Sequence, residues 1–131
     1  MGKGQKLYSK AKQIVAGGNM LLSKRPEMFL PEHWPAYFSK TKGCEVWDLD
    51  GNKYIDTLMT PGTNSLGYSH PEVDEAVKEI VGNGNMSSLN APEEVELTER
   101  LVELHPWADM ARFARSGGEA NSVAIRLARA A

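Results

Sequence analysis

The sequence has one cysteine, Cys44, and no long run of apolar or basic residues. A single cysteine excludes an internal disulfide and a cysteine-built metal site, and it fits a reducing compartment. The longest apolar runs are too short to span a membrane, and Met1–Lys6 leads into no signal-peptide core. His33, His70 and His105 lack the spacing of metal ligands. We therefore expect a cytoplasmic protein with no membrane span and no metal site.

The charge balance argues against a nucleic-acid partner. The 131 residues carry a formal net charge of −2, and no basic patch is visible along the chain. Such a balance is unlike the positive surface that binds phosphate backbones. With 41% hydrophobic and 24% charged residues, the composition is typical of a globular domain with a modest core.

Periodicity predicts a mixed α/β chain. A helix is expected from about Gln5 to the Gly17–Gly18 stop, with Leu7, Ala11, Ile14 and Val15 on one apolar face. Prolines in the stretch from Asn19 to Pro35 argue against a helix there. The expected elements that follow are a strand at 36–40, strands at 44–49 and 53–58 joined by a tight turn at Asp50–Asn52, a polar loop at 60–69, and helices starting at Pro71 and Glu93.

The motif Arg115–Asn121 contains two adjacent glycines between a strand-like run, Met110–Ala114, and a helical run, Ala120–Ala131. A helix N-terminus behind a small-residue turn presents free N–H groups and a positive dipole end to an anion. The pattern is neither a P-loop nor a dinucleotide fingerprint. A capping box, with Ser116 as the N-cap and Glu119 three residues later, explains the same residues equally simply. Both interpretations stay open at this point.

The C-terminal part predicts an incomplete sheet. A single strand–helix step is present after Met110, with no second parallel strand to pair with it. The apolar stripe from Ala120 to Ala131 also has no stop signal behind it. We expect the front part of a longer protein, although a terminal helix that frays would leave the same pattern.

Four segments taken together resemble the class III aminotransferases, in their glutamate-1-semialdehyde aminomutase-like branch. They lie in the family's order and cover nearly the whole chain. These segments are Leu7–Gly18, Gly43–Asp56, Leu66–Val73 and Ser116–Asn121.

The resemblance implies the N-terminal part of a pyridoxal phosphate (PLP) transferase of fold type I. Residues 1–62 would form an N-terminal segment with the β-hairpin, and residues 63–131 would begin the large PLP-binding domain. Ser116, Gly117 and Gly118 would surround the PLP phosphate through backbone N–H groups and the Ser116 hydroxyl. The position of Gly118 often carries a hydroxyl residue in relatives, so backbone contacts would have to suffice here.

The resemblance also implies a contact to the substrate. Aminomutases carry an arginine after the Gly-Gly pair that faces the substrate carboxylate, and Arg25 lies one residue from that spacing. A solvated surface charge is the alternative for Arg25. The family's aromatic residue in the loop after the hairpin is missing from 59–62. This departure favours a general aminotransferase over an aminomutase.

The family's Schiff-base lysine and its pyridine-nitrogen carboxylate lie downstream of the Ser116 turn, and no lysine follows Lys78 in this chain. We therefore expect no catalytic residue here and no activity from the chain alone. In the intact protein, an amino group would move from a small-molecule amino donor to an aldehyde or ketone acceptor. The resemblance implies a homodimer. A non-catalytic truncated binding protein derived from the family is the alternative.

Overall fold

The computed structural model of the protein describes residues 1–60 and 62–131. Pro61, which the sequence assigns to a polar loop, lies outside the described residues. The described chain divides into two compact units, Met1–Gly82 and Asn83–Ala131. The division predicted at residues 62 and 63 concerns the domains of the intact protein and stays a prediction.

Apart from the strand predicted at Met110–Ala114, the helices and strands follow the predicted order in the described residues. The helices are α1 (Lys3–Ile14), α2 (Pro71–Asn83), α3 (Glu93–Leu104) and α4 (Gly117–Ala130). The strands are β1 (Phe38–Lys42), β2 (Glu45–Asp48) and β3 (Lys53–Ile55). Two short 3-10 helices, Leu22–Lys24 and Pro26–Met28, lie in the proline-containing stretch after α1. No helix of residues 1–60 and 62–131 has the length and apolarity needed to cross a membrane.

The buried face of α1 differs from the predicted one. Tyr8 is 8% exposed and Ala11 is 9% exposed, whereas the predicted core residues Leu7 and Ile14 are 42% and 73% exposed. Gly4 completes the buried face. A Cβ on Gly4 would collide with the carbonyl oxygen of Pro35, so the absence of a side chain lets α1 approach that backbone.

The three strands form one antiparallel sheet in the order β1-β2-β3. The predicted tight turn between β2 and β3 is confirmed, with Gly51 at a φ of 86°. Asp48, 6% exposed, organises this turn. Its Oδ1 accepts hydrogen bonds from the backbone N–H groups of Asp50 and Asn52, both at 2.9 Å. Its Oδ2 accepts from the Tyr54 hydroxyl at 3.0 Å.

The loop after β3 is held at its two ends. Asp56 Oδ1 accepts hydrogen bonds from the N–H groups of Leu58 and Met59 at 2.9 and 3.0 Å. Asp56 Oδ2 accepts from the Tyr68 hydroxyl. Tyr68 also forms an antiparallel bridge with Gly43, between β1 and β2. The loop is therefore fastened to the hairpin through side-chain and backbone bonds.

The second unit contains α3 and α4, and the predicted strand at Met110–Ala114 does not form in it. A strand requires a hydrogen-bonded neighbour, and none is available to this run among the described residues. Neither helix of the unit has a buried residue. The apolar faces of α3 and α4 are accordingly at most half-buried within the described part of the chain.

Candidate functional site

The turn before α4 is built by Ser116 and Glu119. Ser116 has extended backbone angles, φ −149° and ψ 159°, and is the N-cap of the helix. Its Oγ accepts a hydrogen bond from the Glu119 N–H at 3.3 Å. The Glu119 carboxylate reaches back and accepts from the Arg115 N–H at 2.8 Å, one residue before the usual capping-box partner. The predicted N-cap at Ser116 is thus confirmed.

Free donors remain at this helix end. Ala120 N–H donates to the Ser116 carbonyl oxygen at 2.9 Å and closes the first helical turn. In the described part of the chain, the N–H groups of Gly117 and Gly118 have no hydrogen-bond acceptor. A Cβ on either glycine would meet no atom within 4 Å, so the space beside both residues is open. An anion can therefore approach these donors closely.

The donor set fits a phosphate group. Two adjacent backbone N–H groups at a helix N-terminus offer hydrogen bonds together with the positive end of the dipole. The Ser116 hydroxyl uses an oxygen lone pair for the cap, which leaves its proton available to a phosphate oxygen. The cap and the anion contact therefore coexist in one residue. Oε2 of Glu119 is already occupied by the backbone N–H of Arg115.

Arg25 lies in the first unit, away from this turn in the sequence, beside an open cleft of about 400 Å³. The cleft is lined by Tyr8, Lys12, Gly17, Gly18, Arg25 and Glu27. A Cβ on Gly17 would lie 2.6 Å from Arg25 Nη2, so the guanidinium occupies the space that a side chain would need. Arg25 Nε is buried without a hydrogen-bond partner among the described residues.

Glu27 makes the main polar contacts beside Arg25. Its Oε2 accepts a hydrogen bond from the Tyr8 hydroxyl at 2.8 Å, and its Oε1 lies 3.7 Å from Lys12 Nζ. A hydrogen bond from its own backbone N–H and the bond from Tyr8 hold the pKa of Glu27 below its ordinary value. Burial and the same contact with Glu27 raise the pKa of Tyr8. The Glu27 carboxylate therefore accepts a hydrogen bond from the Tyr8 phenol.

The sequence prediction for this region missed Tyr8, Lys12 and Glu27. Tyr8 and Lys12 are four residues apart and thus share one helix face, which is a detectable signal. Their partner Glu27 is 19 residues from Tyr8, and no local pattern connects the two. Within the described residues, no three His, Cys, Asp or Glu side chains are grouped to hold a metal ion.

The loop at 59–62 was predicted to lack the family's aromatic residue. Met59 and Thr60 have left-handed backbone angles, φ 50° and 46°. Such angles are uncommon for residues with a side chain and are held here by the surrounding bonds. The Thr60 hydroxyl accepts from Asn64 Nδ2. Met59 and Thr60 are thus held by polar contacts, and the sequence at 59–62 carries no aromatic side chain.

Comparison with known proteins identifies the family. The model of the family described as aminotransferase class-III matches residues 30–131. The chain belongs to the class III aminotransferases. Membership of this family implies pyridoxal phosphate in the intact protein, and the phosphate-compatible donors at Ser116–Gly118 agree with that cofactor.

Individual relatives match over nearly the whole chain. It is 38% identical over 130 residues to the 3-aminobutyryl-CoA aminotransferase of Cloacimonas acidaminovorans, covering 98% of this chain and 31% of that protein. It is also 38% identical over 124 residues to the glutamate-1-semialdehyde 2,1-aminomutase of Fusobacterium nucleatum, covering 95% of this chain and 28% of that protein.

Solved structures agree with the sequence relatives. The FumI protein of Sphingopyxis sp. MTA144, in its PLP internal aldimine form, superposes with a TM-score of 0.86 at 33% identity. An omega-transaminase from Sphaerobacter thermophilus superposes with a TM-score of 0.85 at 27% identity. Each comparison covers 98% of this chain and 31% or 28% of the other. The expected fold, the N-terminal part of a PLP transferase with an incomplete sheet, is confirmed.

Proposed function

We propose that the intact protein is a PLP-dependent aminotransferase that moves an amino group from a small-molecule amino donor to an aldehyde or ketone acceptor. The observation that carries this proposal is the turn at Ser116–Gly118, whose two free N–H groups and hydroxyl suit the phosphate of the family's cofactor. PLP, when bound, supplies an electron sink and a carrier for the amino group. The turn would hold the cofactor in place without taking part in proton transfer.

Backbone donors would dominate this phosphate contact. Gly118 has no hydroxyl, so the expected contacts are the N–H groups of Gly117 and Gly118 and the hydroxyl of Ser116. Backbone N–H groups at a helix end are fixed by the fold and need no side-chain ordering when the anion binds. The site would therefore be preorganised although it lacks a second hydroxyl.

Arg25 is the proposed contact to the substrate carboxylate. Its guanidinium has no carboxylate oxygen within 4.0 Å in the described residues, and its Nε is buried without a partner. A planar guanidinium matches a carboxylate with two parallel hydrogen bonds. These features support a substrate contact over a solvated surface charge, because a solvated arginine would expose its Nε to water.

The catalytic lysine is proposed to come from sequence beyond this chain. The chain spans 28% to 31% of the length of the curated relatives and solved structures that it matches. None of its lysines lies in the family's lysine motif, so we expect the 131 residues by themselves to be inactive. We further propose a cytoplasmic homodimer. Exposed apolar side chains in the stretch after α1, among them Met20, Leu22 and Phe29, support a subunit contact there.

The first test is the mass of the protein purified from its source cells. A mass about three times that of this chain is expected, with a yellow colour from bound PLP and a shift in its absorbance when an amino donor is added. Light scattering should give twice the subunit mass. A product of 14.4 kDa, the mass of this chain, without PLP would contradict the aminotransferase proposal and favour a non-catalytic binding protein.

A further inference from the structure

The acidic residue nearest in sequence to Arg25 is Glu27, and the two do not pair. No carboxylate oxygen lies within 4.0 Å of the Arg25 guanidinium in the part of the chain that the structure describes. Arg25 and Glu27 line the same cleft, so a released Glu27 carboxylate would lie on the same side of the chain as the guanidinium. A paired Arg25 would compete poorly for an external carboxylate, because its hydrogen-bond donors would already be occupied.

Two residues of α1 hold the Glu27 carboxylate. The Tyr8 hydroxyl donates to Oε2 at 2.8 Å, and Lys12 Nζ lies 3.7 Å from Oε1. The Lys12 ammonium also lies 5.1 Å from the centre of the Tyr8 ring, within the range of a cation–π contact. Each oxygen of Glu27 thus faces a donor from one side of α1.

Tyr8 itself is fixed by packing. Its side chain is 8% exposed, and a Cβ on Gly18 would lie 3.1 Å from both its Cε2 and its hydroxyl oxygen. The Gly17–Gly18 turn thus places one glycine against Tyr8 and the other against Arg25. Because a buried ring has few alternative rotamers, the hydroxyl is directed at Glu27 with little loss of entropy.

We propose that Tyr8 is a positioning residue that, together with Lys12, holds the Glu27 carboxylate away from Arg25 and so keeps Arg25 available to the carboxylate of a substrate. The inference rests on the proposed role of Arg25. Tyr8 touches neither substrate nor cofactor in this scheme. It acts only by occupying the carboxylate that would otherwise compete for the guanidinium.

The test measures binding of succinate to the PLP-loaded protein at the full length its gene encodes. Succinate carries carboxylates but neither an amine nor a carbonyl carbon that reacts with an amine. Its Kd is measured by isothermal titration calorimetry for the wild type, Tyr8→Phe, Glu27→Gln and the double variant. Tyr8→Phe keeps the packed ring and removes only the hydroxyl, which makes it the smallest change that frees Oε2 of Glu27.

We expect Tyr8→Phe to weaken succinate binding about tenfold, because the released Glu27 pairs with Arg25. Glu27→Gln should bind like the wild type, because a neutral amide does not neutralise Arg25. The double variant should also bind like the wild type. This rescue separates the proposed role from a merely structural one, since a packing defect caused by Tyr8→Phe would persist when Glu27 is neutral.

A fourth variant, Arg25→Gln, tests the proposed substrate contact of Arg25 separately from the proposed role of Tyr8. If Arg25→Gln leaves the succinate Kd unchanged, Arg25 is not the carboxylate contact, and both proposals fail. If Arg25→Gln weakens binding but Tyr8→Phe does not, the role of Arg25 stands and the role of Tyr8 is overturned. If Tyr8→Phe weakens succinate binding and the added Glu27→Gln does not restore it, the role of Tyr8 is also overturned.

Discussion

The Tyr68 hydroxyl donates a 2.6 Å hydrogen bond to Oδ2 of Asp56 and thereby joins the two ends of the loop between β3 and α2. This bond is the main reason that the pKa of Asp56 lies below its ordinary value, and the N–H groups of Met59 and Leu58 add to the effect. Burial, followed by the contact with Asp56, raises the pKa of Tyr68. The loop that contains the left-handed residues Met59 and Thr60 therefore depends on an ionised Asp56.

Acid should loosen this loop through Asp56. A carboxyl group whose pKa is lower in the folded state stabilises the fold above its unfolded pKa, about 4, and loses that contribution as the pH falls through the folded value. We expect Asp56→Asn to be less stable than the wild type at pH 7 and to lose less further stability between about pH 4 and pH 2. Thermal unfolding midpoints across this range measure the difference.

Tyr68→Phe removes the same hydrogen bond from its donor side. It removes the main cause of the lowered pKa of Asp56 and keeps the aromatic ring. The acid-dependent loss of stability should therefore be smaller than in the wild type and should be complete at a higher pH. Parallel acid profiles for the wild type, Asp56→Asn and Tyr68→Phe would show that the Asp56–Tyr68 bond does not stabilise the fold.

The close approach of α1 to Pro35 predicts a strong effect of a methyl group at Gly4. The Cβ of Gly4→Ala collides with a backbone oxygen, which cannot rotate away as a flexible side chain could. We expect the free energy of unfolding to fall by about 1–3 kcal/mol. The control is Gly82→Ala in α2, where a Cβ meets no atom within 4 Å.

Gly82→Ala should raise the free energy of unfolding by about 0.4–1 kcal/mol, because alanine restricts the unfolded chain more than glycine does. Urea titration of both variants measures the change in the free energy of unfolding, which should be negative for Gly4→Ala and positive for Gly82→Ala. Equal stabilities of the Gly4 and Gly82 variants would contradict the proposed packing of α1.

The Ser116 hydroxyl is expected to contribute to both helix stability and cofactor binding. Ser116→Ala removes the N-cap, at a cost of about 1 kcal/mol, and should weaken PLP binding about tenfold through loss of a hydrogen bond to a charged group. Ser116→Thr keeps the hydroxyl and should retain most of both. Fluorescence titration of the apoprotein with PLP measures the affinity. An unchanged PLP affinity for Ser116→Ala would contradict a contact between Ser116 and the phosphate.

Gly17 is expected to matter for the position of Arg25. Gly17→Ala combines an unfavourable positive φ, 76°, with a Cβ placed 2.6 Å from Arg25 Nη2. The matched control, Gly51→Ala, has a φ of 86° and open space around its Cβ. Both variants should lose about 1–2 kcal/mol of stability from the backbone angle. Only Gly17→Ala should also weaken succinate binding. Equal succinate Kd values for the two variants would show that Gly17 does not determine the position of Arg25.

Local signals in the sequence predicted much of this chain correctly. The Pro71 and Glu93 helix starts, the turn at Asp50–Asn52 and the N-cap at Ser116 all agree with the structure. Each depends on chemistry within a few residues, such as a fixed proline φ or a side chain that caps its own helix. The ordered motifs also predicted the family, which the comparison over residues 30–131 confirms.

Contacts between distant residues were decided only by the tertiary structure. The apolar periodicity of α1 predicted Leu7 and Ile14 as core, but the buried face follows Gly4 and Tyr8 because the chain after α1 folds back against that side. Met110–Ala114 has the composition of a strand and forms none, since strand formation needs a hydrogen-bonded partner. Periodicity thus determines which faces of a segment are apolar, whereas burial and pairing depend on which other segments lie against them.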